Sequence, residues 1–205
     1  MANITAAEVN KLRQMTGAGM MDCKKALVES EGDIEKAIDY LRKKGQKVAN
    51  SRADRAANEG LVFAKTSPDS KKAILVMINC ETDFVAKSAD FIKFSEDVAN
   101  YAIANTPATL EDLKSANLNG RTVIENLTDL IGKSGEKMAV SSYDFIEGSI
   151  TFAYNHIGNR LGTIVAFNKE NVENIDNIGK EIAMQIAAMS PVAIDKDSVN
   201  QATID

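Results

Sequence analysis

Cysteine and histidine are nearly absent from this sequence, which has two cysteines, Cys23 and Cys80, and a single histidine, His156. The cysteines are far apart and form no metal-ligand or redox spacing, so reduced thiols in a cytosolic protein are the simplest reading. Cys23 falls on a helix face and Cys80 ends an apolar run, positions that suit small core residues. A thiol nucleophile would need one of them beside His156, and nothing in the spacing favours that. Long hydrophobic runs are also missing. The longest covers residues 73–78, too short to span a membrane, and residues 1–5 lack the regions of a signal peptide. No excess of positive charge is present either. The net charge is -5, with +3 over residues 1–58 and -8 over residues 59–205. A nucleic-acid protein would concentrate a basic face. The run Arg42-Lys43-Lys44, with Lys47, Arg52 and Arg55, is expected to be a solvated helix end and linker, with RNA contact the less favoured alternative. The carboxylates show no metal-ligand spacing. Gly132-Lys133-Ser134-Gly135 lacks the glycine that a phosphate loop needs at position 127. Gly17-Ala18-Gly19 follows a helix, where a dinucleotide fingerprint would follow a strand. No cofactor and no metal are expected, and no catalytic residue is assigned.

What is present is helical patterning first. Over residues 1–45 the sequence predicts a compact three-helix module. Thr5 with Glu8 makes a capping box. The first helix stops at Thr16-Gly17-Ala18-Gly19, where two glycines permit a left-handed connection. Met20 and Met21 open the second helix, and Cys23, Ala26 and Leu27 form its apolar face. Gly32-Asp33 ends that helix and caps the third, whose stripe is Ile34, Ala37, Ile38 and Leu41 and which Gly45 is expected to terminate. A unit this small buries little surface, which suits a docking module. Residues 46–58 read as a polar linker that could be helical.

From residue 59 onward the sequence repeats itself. Glu59-Gly60-Leu61-Val62-Phe63-Ala64 followed by Ala73-Ile74-Leu75-Val76 reads as a hairpin leading to a helix with Phe91, Phe94, Val98, Tyr101 and Ala102 on one face. Glu147-Gly148-Ser149-Ile150-Thr151-Phe152-Ala153 followed by Gly162-Thr163-Ile164-Val165-Ala166-Phe167 reads the same way, with Ile182, Ile186 and Met189 as the helix face. The offset is about 88 residues, which means a duplicated unit and not a solenoid. The expected fold class is therefore α+β: the helical module, then a duplicated core of antiparallel strands and helices, with subdomains at 59–146 and 147–205. Between the copies, residues 110–131 read as mostly helical, residues 132–137 as a loop, and residues 138–145 as a possible strand. Where the first copy has Cys80-Glu81-Thr82-Asp83-Phe84, the second has Asn168-Lys169-Glu170. The second copy alone carries His156, in a hairpin turn where an exposed structural role is the default.

Cys80-Glu81-Thr82-Asp83-Phe84-Val85-Ala86 sits where a strand gives way to a helix. It combines a capping Thr82, an acid at Asp83 and an apolar Phe84 with no evident core duty. That order suits pushing into a partner better than chemistry. This stretch, together with Leu12-Arg13 and Thr16-Gly17-Ala18-Gly19-Met20-Met21-Asp22-Cys23-Lys24-Lys25-Ala26-Leu27, resembles the two signatures of the translation elongation factor Ts family, and the likeness extends over essentially the whole chain. The resemblance implies a ubiquitin-associated-like N-terminal module, a two-subdomain core, and a cytoplasmic guanine-nucleotide exchange factor for the GTPase elongation factor Tu. It places Asp83 and Phe84, flanked by Thr82 and Val85, in an insertion that disturbs the partner's magnesium and switch region. It places Arg13, Met20, Met21, Lys24, Gly135 and His156 among partner contacts, His156 near the phosphate-binding side. It implies no direct nucleic-acid or membrane partner, and allows a homodimer of the complex. Relatives usually continue past the position of Asp205 into a coiled coil and a C-terminal segment, so the chain reads as a truncated piece or a short form, with affinity and exchange reduced. The rival readings are a binding module that leaves nucleotide release unchanged, and an enzyme dependent on Cys23, Cys80 or His156.

Overall fold

The computed structural model describes residues 4–199 and residue 201. Helices α1 (Ala6–Thr16), α2 (Met20–Glu29) and α3 (Ile34–Ser51) come first. Strands β1 (Glu59–Thr66) and β2 (Lys72–Cys80) lead into α4 (Asp83–Ala86) and α5 (Ala89–Asn105). Then follow α6 (Leu110–Ser115), the two-residue strands β3 (Asn117–Leu118) and β4 (Arg121–Thr122), α7 (Val123–Ser134) and β5 (Met138–Glu147). Strands β6 (Ile150–Asn155) and β7 (Gly162–Phe167) and helix α8 (Ile175–Met189) come next, followed by a 3-10 turn at Lys196–Ser198. The fold is α+β with an N-terminal helical module, and the element order hairpin then helix occurs twice. One sheet has the strand order β1-β2-β5, while β3–β4 and β6–β7 form two-stranded sheets.

Two compact units divide the chain. The first comprises residues up to Leu61, Met77–Val98 and Pro107–Ser142. In its helical module the expected caps are in place. Glu8 N–H donates to Thr5 Oγ1 at 3.3 Å, and Thr5 N–H donates to Glu8 Oε2 at 2.8 Å. Gly17 adopts φ 68° and returns its N–H to the Arg13 carbonyl at 2.7 Å. Asp33 caps α3 by accepting from Lys36 N–H at 3.1 Å. Val9, Leu12, Ala18, Cys23, Ala26, Leu27 and Ala37 are buried together, with Ile34, Ile38 and Leu41 packed against them.

Helix α3 departs from expectation at Gly45. The helix does not stop there but runs six residues further, to Ser51, so the first part of the expected linker is helical. The reason lies in α7. A Cβ on Gly45 would sit 3.0 Å from the Thr128 carbonyl oxygen and 3.4 Å from Gly132 Cα, and one on Gly132 would sit 3.0 Å from Gly45 Cα. The two helix backbones pack so closely that a side chain at either position would force them apart by a few tenths of an ångström. Gly132 accordingly lies inside α7, which extends into the expected loop and ends at Gly135. An interior helical glycine costs about 1 kcal/mol relative to alanine, and close packing of the two helices offsets it.

The second unit comprises Val62–Val76, Ala99–Thr106 and the residues from Tyr143 onward. Here β6 pairs antiparallel with β7, with Phe152 opposite Val165. The buried positions of α8 are Gly179 and Ala183, whereas Ile182 and Met189 are exposed and Ile186 is half-buried. The expected face of Ile182, Ile186 and Met189 is therefore not the one that faces the hairpin. The cause is the Phe152 ring, which meets Phe167 edge-on at 5.8 Å between centroids. It fills the space under α8 so completely that a Cβ on Gly179 would run into it. Thr163 Oγ1 adds a hydrogen bond to the Ala183 carbonyl at 2.7 Å.

Candidate functional site

Strand β2 is a run of β-branched and other apolar residues buried on alternate positions, and Cys80 closes it. The chain then turns sharply, and Thr82 caps the single-turn helix α4 by accepting from Val85 N–H at 3.4 Å. Phe84, the second residue of α4, is 83% exposed. Burying an aromatic ring is worth roughly 1.5–3 kcal/mol, so an exposed one on an ordered turn is unspent binding capacity. Asp83 beside it pairs with Lys87 of the next turn at 2.7 Å.

Two glutamates hold this turn from below. Glu136 accepts from Thr82 N–H at 3.2 Å and from Thr82 Oγ1 at 3.0 Å. Glu81 accepts from Lys137 N–H at 2.6 Å and pairs with Arg55 at 3.2 Å and Arg52 at 3.5 Å. The Lys137 amide, then Arg55, holds the Glu81 carboxyl below its usual value of 4.5. Lys137 Nζ reaches the carbonyls of Ala53 and Arg55 at 2.6 and 2.7 Å. Arg52 and Arg55, expected in a solvated linker, are thus partners of Glu81. None of these long-range contacts was evident from the sequence, although one signal existed. Thr82 is followed by Val85 where a capping box would place Glu or Gln, so the carboxylate for Thr82 N–H had to come from elsewhere.

Beside Phe84 lies a cleft of about 360 Å³ lined by Gly17, Phe84, Val85, Leu130, Ser134 and Met138 among others. The first unit thereby brings the α1–α2 turn, α4 and the end of α7 to one place. The stem of Lys133 lies over Gly17, where a Cβ would be 2.9 Å from its Cε, and its ammonium faces Asp90 at 3.4 Å. On the neighbouring helices Arg13 and Lys24 are exposed, as are Met20 at 58% and Met21 at 76%. The exposed methionines contribute nothing to the buried cluster that Cys23, Ala26 and Leu27 build from the same helix. Gly135 takes φ 72° as the C-cap of α7, with open space where a Cβ would stand.

His156 belongs to the second unit, at the tip of the β6–β7 hairpin. It is exposed, and its Nδ1 lies 2.8 Å from Tyr154 OH. Ile157 beside it is 92% exposed, a second unburied apolar group that sequence reading passed over. The turn is held firmly. Asn155 accepts from Ala64 N–H at 2.7 Å through Oδ1 and donates to the Ala64 carbonyl at 2.8 Å through Nδ2, as a neighbouring strand would. Val62 N–H donates to the Asn159 carbonyl at 2.6 Å.

Neither cysteine is exposed as a nucleophile would be: both are buried. The Cys80 thiol is pushed up to about 11, chiefly by burial, with the Glu136 and Glu59 carboxylates adding to it. Among the described residues, no group of three or more His, Cys, Asp or Glu side chains is arranged to hold a metal ion. No helix among them is long and apolar enough to cross a membrane.

Comparison with known proteins gives a consistent result. The family described as elongation factor TS matches residues 81–205. Elongation factor Ts of Amoebophilus asiaticus is 47% identical over 202 residues, covering 98% of this chain and 73% of that protein. Elongation factor Ts of Cytophaga hutchinsonii is 50% identical over 206 residues, covering all of this chain and 74% of that protein. The Bacteroides thetaiotaomicron protein of the same name is 50% identical over 199 residues, 97% of this chain and 59% of its own length.

Proposed function

Because this chain belongs to the elongation factor Ts family of translation elongation factors, we propose that it binds the GTPase elongation factor Tu and speeds GDP release by disturbing the magnesium and phosphate region of that partner. It acts as an exchange factor, not as a catalyst of a chemical reaction. The observation that supports this most directly is Phe84, held 83% exposed on a capped turn. A P-loop GTPase holds GDP through backbone amides, a lysine and Mg²⁺. Whatever binds the nucleotide-free form better than the loaded form weakens the nucleotide by the same factor. A thousandfold weakening needs about 4 kcal/mol of coupling. Burying Phe84 supplies roughly 1.5–3 kcal/mol of that, so further contacts must contribute.

The remainder comes from two places. Arg13, Met20, Met21 and Lys24 offer an apolar, cation-flanked patch on the helical module, and methionine adapts readily to a partner's surface. His156, with Ile157, offers a second, separately held contact. Asp83, paired with Lys87 of the next turn, presents its carboxylate beside Phe84 on the same turn. Thr82 and Val85 keep the turn in shape, and Gly135 leaves room for approach beside α7.

Stopped-flow release of a fluorescent GDP analogue from elongation factor Tu tests the proposal. Acceleration that saturates with this protein is the expected result. Binding without acceleration would identify a docking module, and turnover of a substrate dependent on Cys23, Cys80 or His156 would identify an enzyme.

A further inference from the structure

We propose that the segment 133–137 is a bracket that sets the attitude of the Phe84 turn, with Glu136 as its positioning residue. The inference rests on the exchange reading of Phe84. Helix α4 has four residues, too few to persist by helix propensity. Phe84 cannot anchor it, because the ring is exposed. The other threonine caps with a reciprocal acid draw on their own first turn, Thr5 on Glu8 and Thr122 on Glu125. Thr82 instead takes its carboxylate from 54 residues away. Both Thr82 donors converge on Glu136, leaving Thr82 Oγ1 free to accept from Val85 N–H.

Glu136 is itself placed by its surroundings. The left-handed Gly135 ends α7 and aims the next residue at β2, and Glu136 N–H donates to Ser134 Oγ at 3.1 Å. One residue on, Lys137 binds Glu81 through its amide, and binds Ala53 and Arg55 through its ammonium. Three residues earlier, Lys133 covers Gly17. Three residues of one short segment, Lys133, Glu136 and Lys137, thus touch Glu81 and Thr82 in the Cys80–Asp83 corner and the α1–α2 turn that leads to Met20 and Met21. Moving the segment moves the Phe84 turn with it.

The test uses the full chain with its GTPase. Glu136→Ala is expected to lower the maximal GDP-release rate about tenfold, the scale of a lost hydrogen bond to a charged group, while the concentration for half-saturation changes by less than about threefold. Glu136→Gln keeps an acceptor for Thr82 N–H and should restore most of the rate. In a Phe84→Ala background, Glu136→Ala should add less than about twofold, because the two residues act through one contact. Hydrogen exchange at the Val85 amide should speed up about tenfold or more in Glu136→Ala. Should that substitution unfold the protein, Glu136→Asp, which withdraws the carboxylate by one methylene and leaves the Thr82 cap on Val85 intact, probes the same contact. An equal slowing by Glu136→Ala with and without Phe84, or unchanged Val85 exchange, overturns the proposal. If Phe84→Ala leaves release unchanged, it is the exchange reading that fails, and the Val85 measurement still decides whether Glu136 positions the turn.

Discussion

Phe84→Ala is the perturbation with the clearest expectation. The ring is 83% exposed and lies outside the core, so its removal leaves no cavity, and a surface change of this kind moves stability by about 0.5 kcal/mol or less. What is lost is the burial the ring would gain on the partner, roughly 1.5–3 kcal/mol. At about 1.4 kcal/mol per factor of ten, that predicts a 10- to 150-fold slower stimulated release. The assay is stopped-flow release of a fluorescent GDP analogue at saturating exchange factor, with thermal unfolding as the control. The slowing should appear in the plateau rate if the ring acts on the transition to the nucleotide-free state. If the ring only helps docking, it should appear in the half-saturation concentration. An unchanged plateau and half-saturation point, with a native melting curve, would refute the assignment of Phe84.

Three further outcomes follow from the geometry. Gly179→Ala gains about 1 kcal/mol of helix propensity, yet it should lower Tm, because the added methyl meets the rigid Phe152 ring and overpacking costs about 1–3 kcal/mol; an unchanged or raised Tm would show that α8 can shift. The Glu81 carboxyl is held below 4.5 when folded, so its contribution to stability is present above that pH and is lost as pH falls toward the folded value. Glu81→Gln should therefore flatten the acid limb of a Tm-versus-pH curve, and superimposable limbs would contradict the pairing with Lys137, Arg55 and Arg52. Cys80, raised to about 11 and buried like Cys23, should resist an aromatic disulfide reagent at about pH 8, where an ordinary thiol with a pKa near 8.5 reacts, and both should react after denaturation; rapid labelling of the native protein would count against the burial.

Local chemistry was readable from the sequence and long-range chemistry was not. Thr5 with Glu8, the left-handed Gly17 and the Asp33 cap each involve groups within four residues, and all three are where patterning puts them. Phe84 could be recognised as outside the core because its neighbours left it no periodic face. Gly45 misled because a glycine near a cationic helix end usually marks a stop. Its purpose is set by Gly132, 87 residues later, and no local rule connects the two. Arg52 and Arg55 misled in the same way, since only the fold reveals Glu81 opposite them. On α8 the apolar period was real but ambiguous. Which face turns inward was decided by the bulk of Phe152 on another element, and it chose the glycine–alanine side.

The Asn155 side chain, bonded at both ends to Ala64, has a consequence for how the protein ages. Asparagine loses its amide when the following backbone nitrogen swings in to attack the side-chain carbonyl. Here Oδ1 and Nδ2 are both engaged with Ala64 at 2.7 and 2.8 Å, and the attacking nitrogen, that of His156, donates to the Leu161 carbonyl at 2.8 Å. Neither reactant can rotate toward the other without breaking these bonds. The contacts that hold the His156–Ile157 tip in place thus also slow deamidation at Asn155, which would otherwise add a negative charge beside His156.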